Sequence, residues 1–131
     1  MNHVPGLLSI LVVDDEFDVG ELLAELLAMR GHRVTTAING QLARALLRDR
    51  DFDLVITDFM MPLVDGIELV QGMRAEHRLA AIPVIMISAQ RELPPVVALG
   101  LVQALLQKPF TPRALNDAIV QVTADRVVPE S

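Results

Sequence analysis

Short apolar runs alternate along this chain with stretches in which apolar residues recur at helical spacing. Such runs are typical of strands buried on both faces, and such stretches are typical of helices that cover a sheet. The predicted strands are residues 8–13, 33–37, 54–57, 84–87 and 104–106. Because the strands alternate with helices, the pattern favours a doubly wound parallel sheet with helices on both faces.

Five helices are predicted between and after these strands, and the fourth is the least regular. The first has an apolar stripe and ends near Gly31, and the last begins at Thr111-Pro112, a cap residue followed by proline. The fourth, at residues 96–101, follows Pro94-Pro95 and is expected to be short or irregular. The second and third cover residues 41–50 and about 67–77. The stripe of the first helix consists of Val19, Leu22, Leu23, Leu26 and Leu27.

Length and composition fit one domain with a single core. The chain has 131 residues, of which 52% are hydrophobic and none is cysteine, so disulfides and thiolate metal sites are excluded. We expect the core to span about 8–123, with loose ends at 1–6 and 125–131. No apolar run is long enough for a membrane span, and residues 7–13 run directly into acidic residues, unlike a signal peptide. The expected location is cytoplasmic.

The charge of the chain disfavours direct binding of nucleic acid. Its formal net charge is −6, which repels phosphates, and it has no Trp or Tyr on which bases could stack.

Polar residues follow four of the predicted strands. Asp14 and Asp15 follow the first, Asp58 the third, Ser88 the fourth and Lys108 the fifth. The carboxyl ends of parallel strands lie at one edge of a sheet, where ligands bind in open α/β folds. We therefore expect these side chains to converge, with the Asp58 carboxylate exposed where its strand leaves the sheet.

Three converging carboxylates need a cation or a proton. Two carboxylates about 4 Å apart repel by roughly 4 kcal/mol at an effective dielectric of 20. Oxygen ligands without His or Cys favour a hard ion, and a watery shell suits Mg²⁺. With Lys108 as a second positive charge, the group resembles a phosphoryl-transfer site in which a carboxylate is the nucleophile.

Each of these residues also has a simpler interpretation. Asp14 and Asp15 could cap the first helix, Ser88 and Asp58 could belong to turns, and Lys108 could be a solvated charge. Their joint placement at strand ends favours a shared site. The histidines do not join it, and we interpret all three as surface residues: His3, His32 and His77.

The motifs as a set resemble the receiver domain of two-component response regulators, a CheY-like fold with strand order 2-1-3-4-5. The resemblance covers about residues 8–123 and rests on Asp14-Asp15, the segment from Asp58 to Gly66 with Met61-Pro62 and Asp65, Ser88-Ala89, and Lys108-Pro109-Phe110. It implies a phosphorelay module, not an enzyme, in which Asp58 accepts a phosphoryl group from a phosphohistidine. The donor would be a histidine kinase or phosphotransfer protein, and the recipient a downstream target or an appended output domain.

The resemblance also implies roles for the site residues. Mg²⁺ would be held by Asp15, Asp58 and the main-chain carbonyl of Met60, and Asp14 would reach it through water. Lys108 would pair with the phosphoryl group, and the Ser88 hydroxyl would hydrogen-bond it. The Lys108–Pro109 peptide would be cis.

The chain departs from the family pattern at three places. Leu105 stands where the family usually has Tyr or Phe as a switch, so we expect output to avoid the aromatic switch. The segment from Ser88 to Lys108 is shorter than the family norm by about two residues. Met60 replaces a polar residue that helps to position hydrolytic water in many relatives.

Other functions fit the residues less well. A hydrolase with an aspartate nucleophile would carry Asp-x-Asp after its first strand, and a flavin-binding protein would need a phosphate loop where Asp14-Asp15-Glu16 stands. A phosphohistidine carrier using His77 would be a helical bundle. A degenerate scaffold would lack some of the five site residues, and all are present. The kinase, the target, the oligomeric state and the existence of further domains stay open.

Overall fold

A five-stranded parallel sheet lies at the centre of the computed structural model, which describes residues 7–59, 61, 65–89 and 100–124. Its strands are β1 (Ser9–Val13), β2 (Arg33–Ala37), β3 (Leu54–Asp58), β4 (Val84–Ser88) and β5 (Ala104–Gln107). They lie in the order β2-β1-β3-β4-β5, as predicted. The described helices are α1 (Phe17–Ala28), α2 (Gly40–Asp49), α3 (Gly66–Ala75) and α4 (Pro112–Val122).

The sheet divides the core into two layers because successive side chains of a strand point to opposite faces. Ile10, Leu54 and Ile85 lie in the layer covered by α1 and α4. Leu11 and Val55 lie in the layer covered by α2 and α3. Every residue of β3 and β4 is buried, whereas the edge strands β2 and β5 are partly exposed. This explains the continuous apolar runs of the central strands.

Side-chain caps determine where three helices begin. Asn39, Asp65 and Thr111 each accept a hydrogen bond from the backbone N–H three residues later, at 2.8, 2.9 and 3.0 Å. Such caps satisfy N–H groups that have no partner within the helix. The start at Thr111-Pro112 is confirmed. Asn39 is the cap residue of α2.

Some boundaries and exposures differ from the predictions. Strand β1 begins at Ser9, α3 ends at Ala75, and β3 and β4 each include the polar residue expected to follow them. Leu22, assigned to the apolar stripe of the first helix, is 57% exposed. Periodicity places a residue on a helix, but the packing of neighbouring helices decides how much of its face is covered.

Parts of the expected organisation lie outside the described residues. These are the loose ends at 1–6 and 125–131, most of the fourth predicted helix, and the position of Met60. Among the described helices, none has the length and apolar character needed to cross a membrane.

Candidate functional site

Asp58 is the last residue of β3 and lies at the carboxyl edge of the sheet, as predicted. It is 7% exposed, so the expectation of an exposed carboxylate is wrong. Two close contacts fix the path of the backbone around Asp58. The chain leaving β3 stays against β4 through a hydrogen bond from the Phe59 N–H to the Ile87 carbonyl oxygen, at 2.9 Å. A Cβ atom on Gly66 would lie 2.5 Å from the Asp58 carbonyl oxygen, so only glycine permits this approach.

The acidic residues after β1 differ sharply in burial. Asp14 is 3% exposed, whereas Asp15 and Glu16 are exposed. Asp14 Oδ1 accepts a hydrogen bond from the Glu16 N–H at 2.9 Å. Its other oxygen, Oδ2, is buried and has no hydrogen-bond partner among the described residues. The inner wall of the site therefore contains a buried carboxylate oxygen that accepts no hydrogen bond from the described residues.

Lys108 follows β5 and brings a positive charge to this edge. Its backbone N–H donates to the Ser88 carbonyl oxygen at 2.8 Å, which joins the ends of β4 and β5. Its Nζ lies 3.7 Å from Asp58 Oδ2, 4.0 Å from Asp14 Oδ2 and 3.8 Å from Glu16 Oε1. The ammonium is thus shared among three carboxylates. The Lys108–Pro109 peptide bond is cis, as the resemblance implied.

Ser88 completes the group of residues at this edge. It is the last residue of β4, 1% exposed, and adjacent in sequence to Ile87, whose register partner in β3 is Asp58. The structure therefore brings four of the five strand-end residues together: Asp14, Asp58, Ser88 and Lys108. Asp15 lies on the solvent side, and the carbonyl of Met60 lies outside the described residues.

The carboxylates form a group that could hold a metal ion. One oxygen each of Asp14, Glu16 and Asp58 lies within 4.8 Å of the others. All-oxygen donors suit a hard divalent cation, and Asp14 Oδ2, which accepts no hydrogen bond from the described residues, points to the same conclusion. Burial, opposed by the hydrogen bond from Glu16 and reinforced by the Asp58 charge, raises the pKa of Asp14 to about 6. A cation would lower that pKa and relieve the repulsion.

Glu16 was not among the residues predicted for the site. The structure turns its side chain towards Lys108, while Asp15, the predicted ligand, is not part of the carboxylate group among the described residues. The sequence did contain a signal, because Glu16 directly follows the acidic pair.

Comparison with known proteins identifies the family. The sequence-family model of the response regulator receiver domain matches residues 10–120 of this chain. The chain belongs to this family. Its members receive signals in two-component systems, and the strand order and strand-end residues described above agree with that assignment.

The relatives of this receiver domain include single-domain and longer proteins. It is 38% identical over 110 residues to the phosphate regulon transcriptional regulatory protein PhoB of Pseudomonas aeruginosa, covering 82% of this chain and 48% of that protein. It is 32% identical over 118 residues to the chemotaxis protein CheY of the same species, and this match covers 88% of this chain and 95% of that protein. The chain thus spans about half the length of the transcriptional regulators it matches.

A solved structure agrees with the fold. The response regulator TrrA of Thermotoga maritima, in complex with Mg²⁺ and BeF, superposes with a TM-score of 0.78 at 29% identity. The match covers 87% of this chain and 97% of that one.

Proposed function

We propose that Asp58 is the phosphoacceptor of this receiver domain and that a phosphohistidine of a sensor kinase or phosphotransfer protein is the donor. The observation that carries the proposal is the position of Lys108 Nζ, 3.7 Å from the buried Asp58 Oδ2 at the carboxyl edge of the sheet. A lysine there can pair with the dianionic group that transfer would place on Asp58.

Transfer requires one bond to form as another breaks. An Asp58 carboxylate oxygen attacks phosphorus, and the P–N bond to the donor imidazole breaks with its electron pair moving to nitrogen, which takes up a proton. Lys108 is already positioned by the backbone hydrogen bond to Ser88, so its charge is available without rearrangement of the strand ends. We assign the Ser88 hydroxyl to a hydrogen bond with the phosphoryl group.

The proposed cofactor is Mg²⁺. Asp14, Asp15, Asp58 and the main-chain carbonyl of Met60 are the residues that we propose to hold it, and it would supply positive charge opposite the phosphoryl oxygens. Asp14 Oδ2, which accepts no hydrogen bond within the described part of the chain, supports a cation on this side of Asp58.

An apolar groove beside the site supports docking of the donor protein. It lies between α1 and the start of α4, and it includes Leu22, Leu26 and Phe110. Glu16 and Lys108 also line it, so the groove is continuous with the site. A helical donor that covers the exposed Leu22 would therefore place its phosphohistidine near Asp58.

The remaining functional assignments belong to the same proposal. We infer a single cytoplasmic domain with a core of about residues 8–123 that acts as a phosphoacceptor, not as an enzyme that turns over a separate substrate. Phosphorylation would change the surface presented to a downstream protein or an output domain. The net charge of −6 supports the absence of direct contacts with nucleic acid.

The test is the intact mass of the protein after incubation with acetyl phosphate and Mg²⁺. We expect one phosphoryl adduct on the wild type and none on Asp58→Asn, because the substituted amide cannot attack phosphorus. Asp117→Asn, an exposed carboxylate on α4, is the matched control and should behave as the wild type. An adduct on Asp58→Asn would refute the assignment.

A further inference from the structure

The side chain of Glu16 is turned into the site and does not cap the helix that it precedes. Glu16 is the N-cap residue of α1, yet its side chain makes no capping hydrogen bond. Asp14 Oδ1 accepts the Glu16 backbone N–H instead. The Glu16 carboxylate is thereby free of the usual capping role, and its Oε1 lies 3.8 Å from Lys108 Nζ.

We propose that Glu16 is the outer carboxylate of the phosphorylation site, where it strengthens binding of the divalent cation and slows reaction with anionic phosphodonors. The first effect depends only on the metal site. The second rests on the proposed function of Asp58. Glu16 is a positioning residue in this proposal, since it acts through the charges of the cation and Lys108.

The effect on the cation follows from the spacing of the oxygens. Oxygens of Asp14, Glu16 and Asp58 lie within 4.8 Å of one another, so a cation held by the two buried aspartates would also be attracted by the Glu16 charge. The buried Asp14 Oδ2 supports this independently: it has no hydrogen-bond partner among the described residues, and the Lys108 ammonium, at 4.0 Å, is too far away to donate one.

The effect on donors follows from exposure. The Glu16 side chain is 64% exposed, whereas those of Asp14 and Asp58 are 1% and 9% exposed. Glu16 therefore lies on the solvent side of the site, where a phosphodonor must enter, and it also lines the groove between α1 and α4. Its negative charge repels an anionic donor and competes with that donor for Lys108.

The two proposed effects change metal affinity and phosphorylation rate in opposite directions when the Glu16 charge is removed. This distinguishes them from the effect of a damaged structure. A variant that merely disturbed the N-terminus of α1 would weaken both metal binding and phosphorylation. Removal of the Glu16 charge should weaken metal binding but accelerate phosphorylation once the metal is saturating.

The first measurement is isothermal titration of the metal-free protein with MgCl₂. We expect Glu16→Gln to bind Mg²⁺ about three- to tenfold more weakly, a modest change because the carboxylate is exposed and screened by salt. Glu16→Asp keeps the charge and should stay within about twofold of the wild type on the same reasoning. Glu25→Gln is the matched control, since it removes the same charge from an exposed position further along α1.

The second measurement is the rate of phosphorylation by acetyl phosphate, with Mg²⁺ saturating for each variant. We expect Glu16→Gln to react about two- to fivefold faster than the wild type, with Glu16→Asp and Glu25→Gln unchanged. Unchanged Mg²⁺ affinity in Glu16→Gln would overturn the proposed effect of Glu16 on cation binding. A phosphorylation rate of Glu16→Gln that equals or falls below that of the wild type at saturating Mg²⁺ would overturn the proposed effect on anionic donors.

The two proposals fail in different ways. If the wild type formed no phosphoryl adduct, the proposed function of Asp58 and the proposed effect of Glu16 on anionic donors would both fail. The metal titration would still decide whether Glu16 belongs to the cation site, because it does not depend on phosphorylation.

Discussion

His32 contributes one hydrogen bond to the start of the central sheet. Its Nδ1 accepts the backbone N–H of Leu8 at 3.1 Å, just before β1. Only the neutral imidazole can accept at this nitrogen. Burial, and then the nearby Arg30 charge, lower the pKa of His32 below its ordinary value of 6.5. His32, interpreted as a surface residue, is partly exposed and also supports the start of β1.

We predict that His32 makes the protein less stable in mild acid. Because the folded pKa lies below the unfolded value, the contribution of His32 is complete above pH 6.5 and is lost as pH falls through the folded pKa. The loss should be on the order of 1 kcal/mol, the value of one such hydrogen bond.

The measurement is the free energy of unfolding between pH 8 and pH 5 for the wild type and His32→Gln, whose side chain can accept but does not titrate in this range. The difference between the two should change with pH. His77→Gln, at an exposed position, should follow the wild type. Parallel curves for wild type and His32→Gln would contradict the prediction.

At the scale of secondary-structure elements, Arg74 joins α3 to the segments around β4 and β5. Its guanidinium donates to the Leu101 carbonyl oxygen at 2.9 and 3.1 Å, to those of Ala80 and Ile82 at 3.0 and 2.7 Å, and to Gln103 Oε1 at 3.0 Å. Gln103 Oε1 also accepts the Val84 N–H at 2.7 Å. Burial lowers the pKa of Arg74. Every acceptor of these bonds is a neutral oxygen.

We predict that Arg74→Met lowers the free energy of unfolding by about 2–4 kcal/mol, because several partly buried carbonyls lose their donors together. Arg74→Lys should recover only part of this loss, since one ammonium cannot reach all four acceptor groups. Chemical denaturation gives both values, with Arg113→Met at an exposed position of α4 as the control. A loss below about 0.5 kcal/mol, the range of ordinary surface changes, would contradict this role.

Strand β5 carries Leu105 at the position of the usual aromatic switch. Leu105 is half-buried, is the register partner of Met86, and packs against the core layer of α2 and α3. Met86 in turn lies against Gly66, where a Cβ atom would be 3.1 Å from its Cε. Leu105 has no hydroxyl to exchange between water and a buried partner. We therefore predict that phosphorylation changes the output surface without a rotamer switch at Leu105.

At the scale of the whole molecule, the acidic edge of the sheet couples cation binding to stability. At neutral pH, ionised Asp14 destabilises the metal-free protein, because its folded pKa of about 6 lies above the unfolded value of 3.8. Its favourable contribution is complete below pH 3.8 and is lost as pH rises through about 6.

We predict that MgCl₂ raises the unfolding temperature of the wild type and that EDTA reverses the rise. At ten times its dissociation constant, the ion should add about 1.4 kcal/mol. Asp14→Asn should be more stable than the wild type without metal, by on the order of 2 kcal/mol, and should respond less to Mg²⁺. Differential scanning calorimetry at pH 8 measures both effects. A metal-free Asp14→Asn less stable than the wild type would contradict the prediction.

Much of the fold follows from the sequence alone. Strands β3 and β4 are buried on both faces, so their apolar runs had to be continuous, and the caps of α2 and α4 act within a few residues of the chain. The meeting of Asp14, Asp58, Ser88 and Lys108 follows from the parallel order of the strands. These features are readable because each depends on local spacing or on a general rule of sheet topology.

The tertiary structure decided what depends on contacts between distant segments. The path of the backbone around Asp58 depends on the close approach of Gly66 and the bond from Phe59 to β4, and the role of His32 depends on Leu8. The choice of Glu16 over Asp15 as the carboxylate facing Lys108 is of the same kind. Adjacent acidic residues have similar patterns in sequence, and only the path of the backbone into α1 determines which of them faces the site.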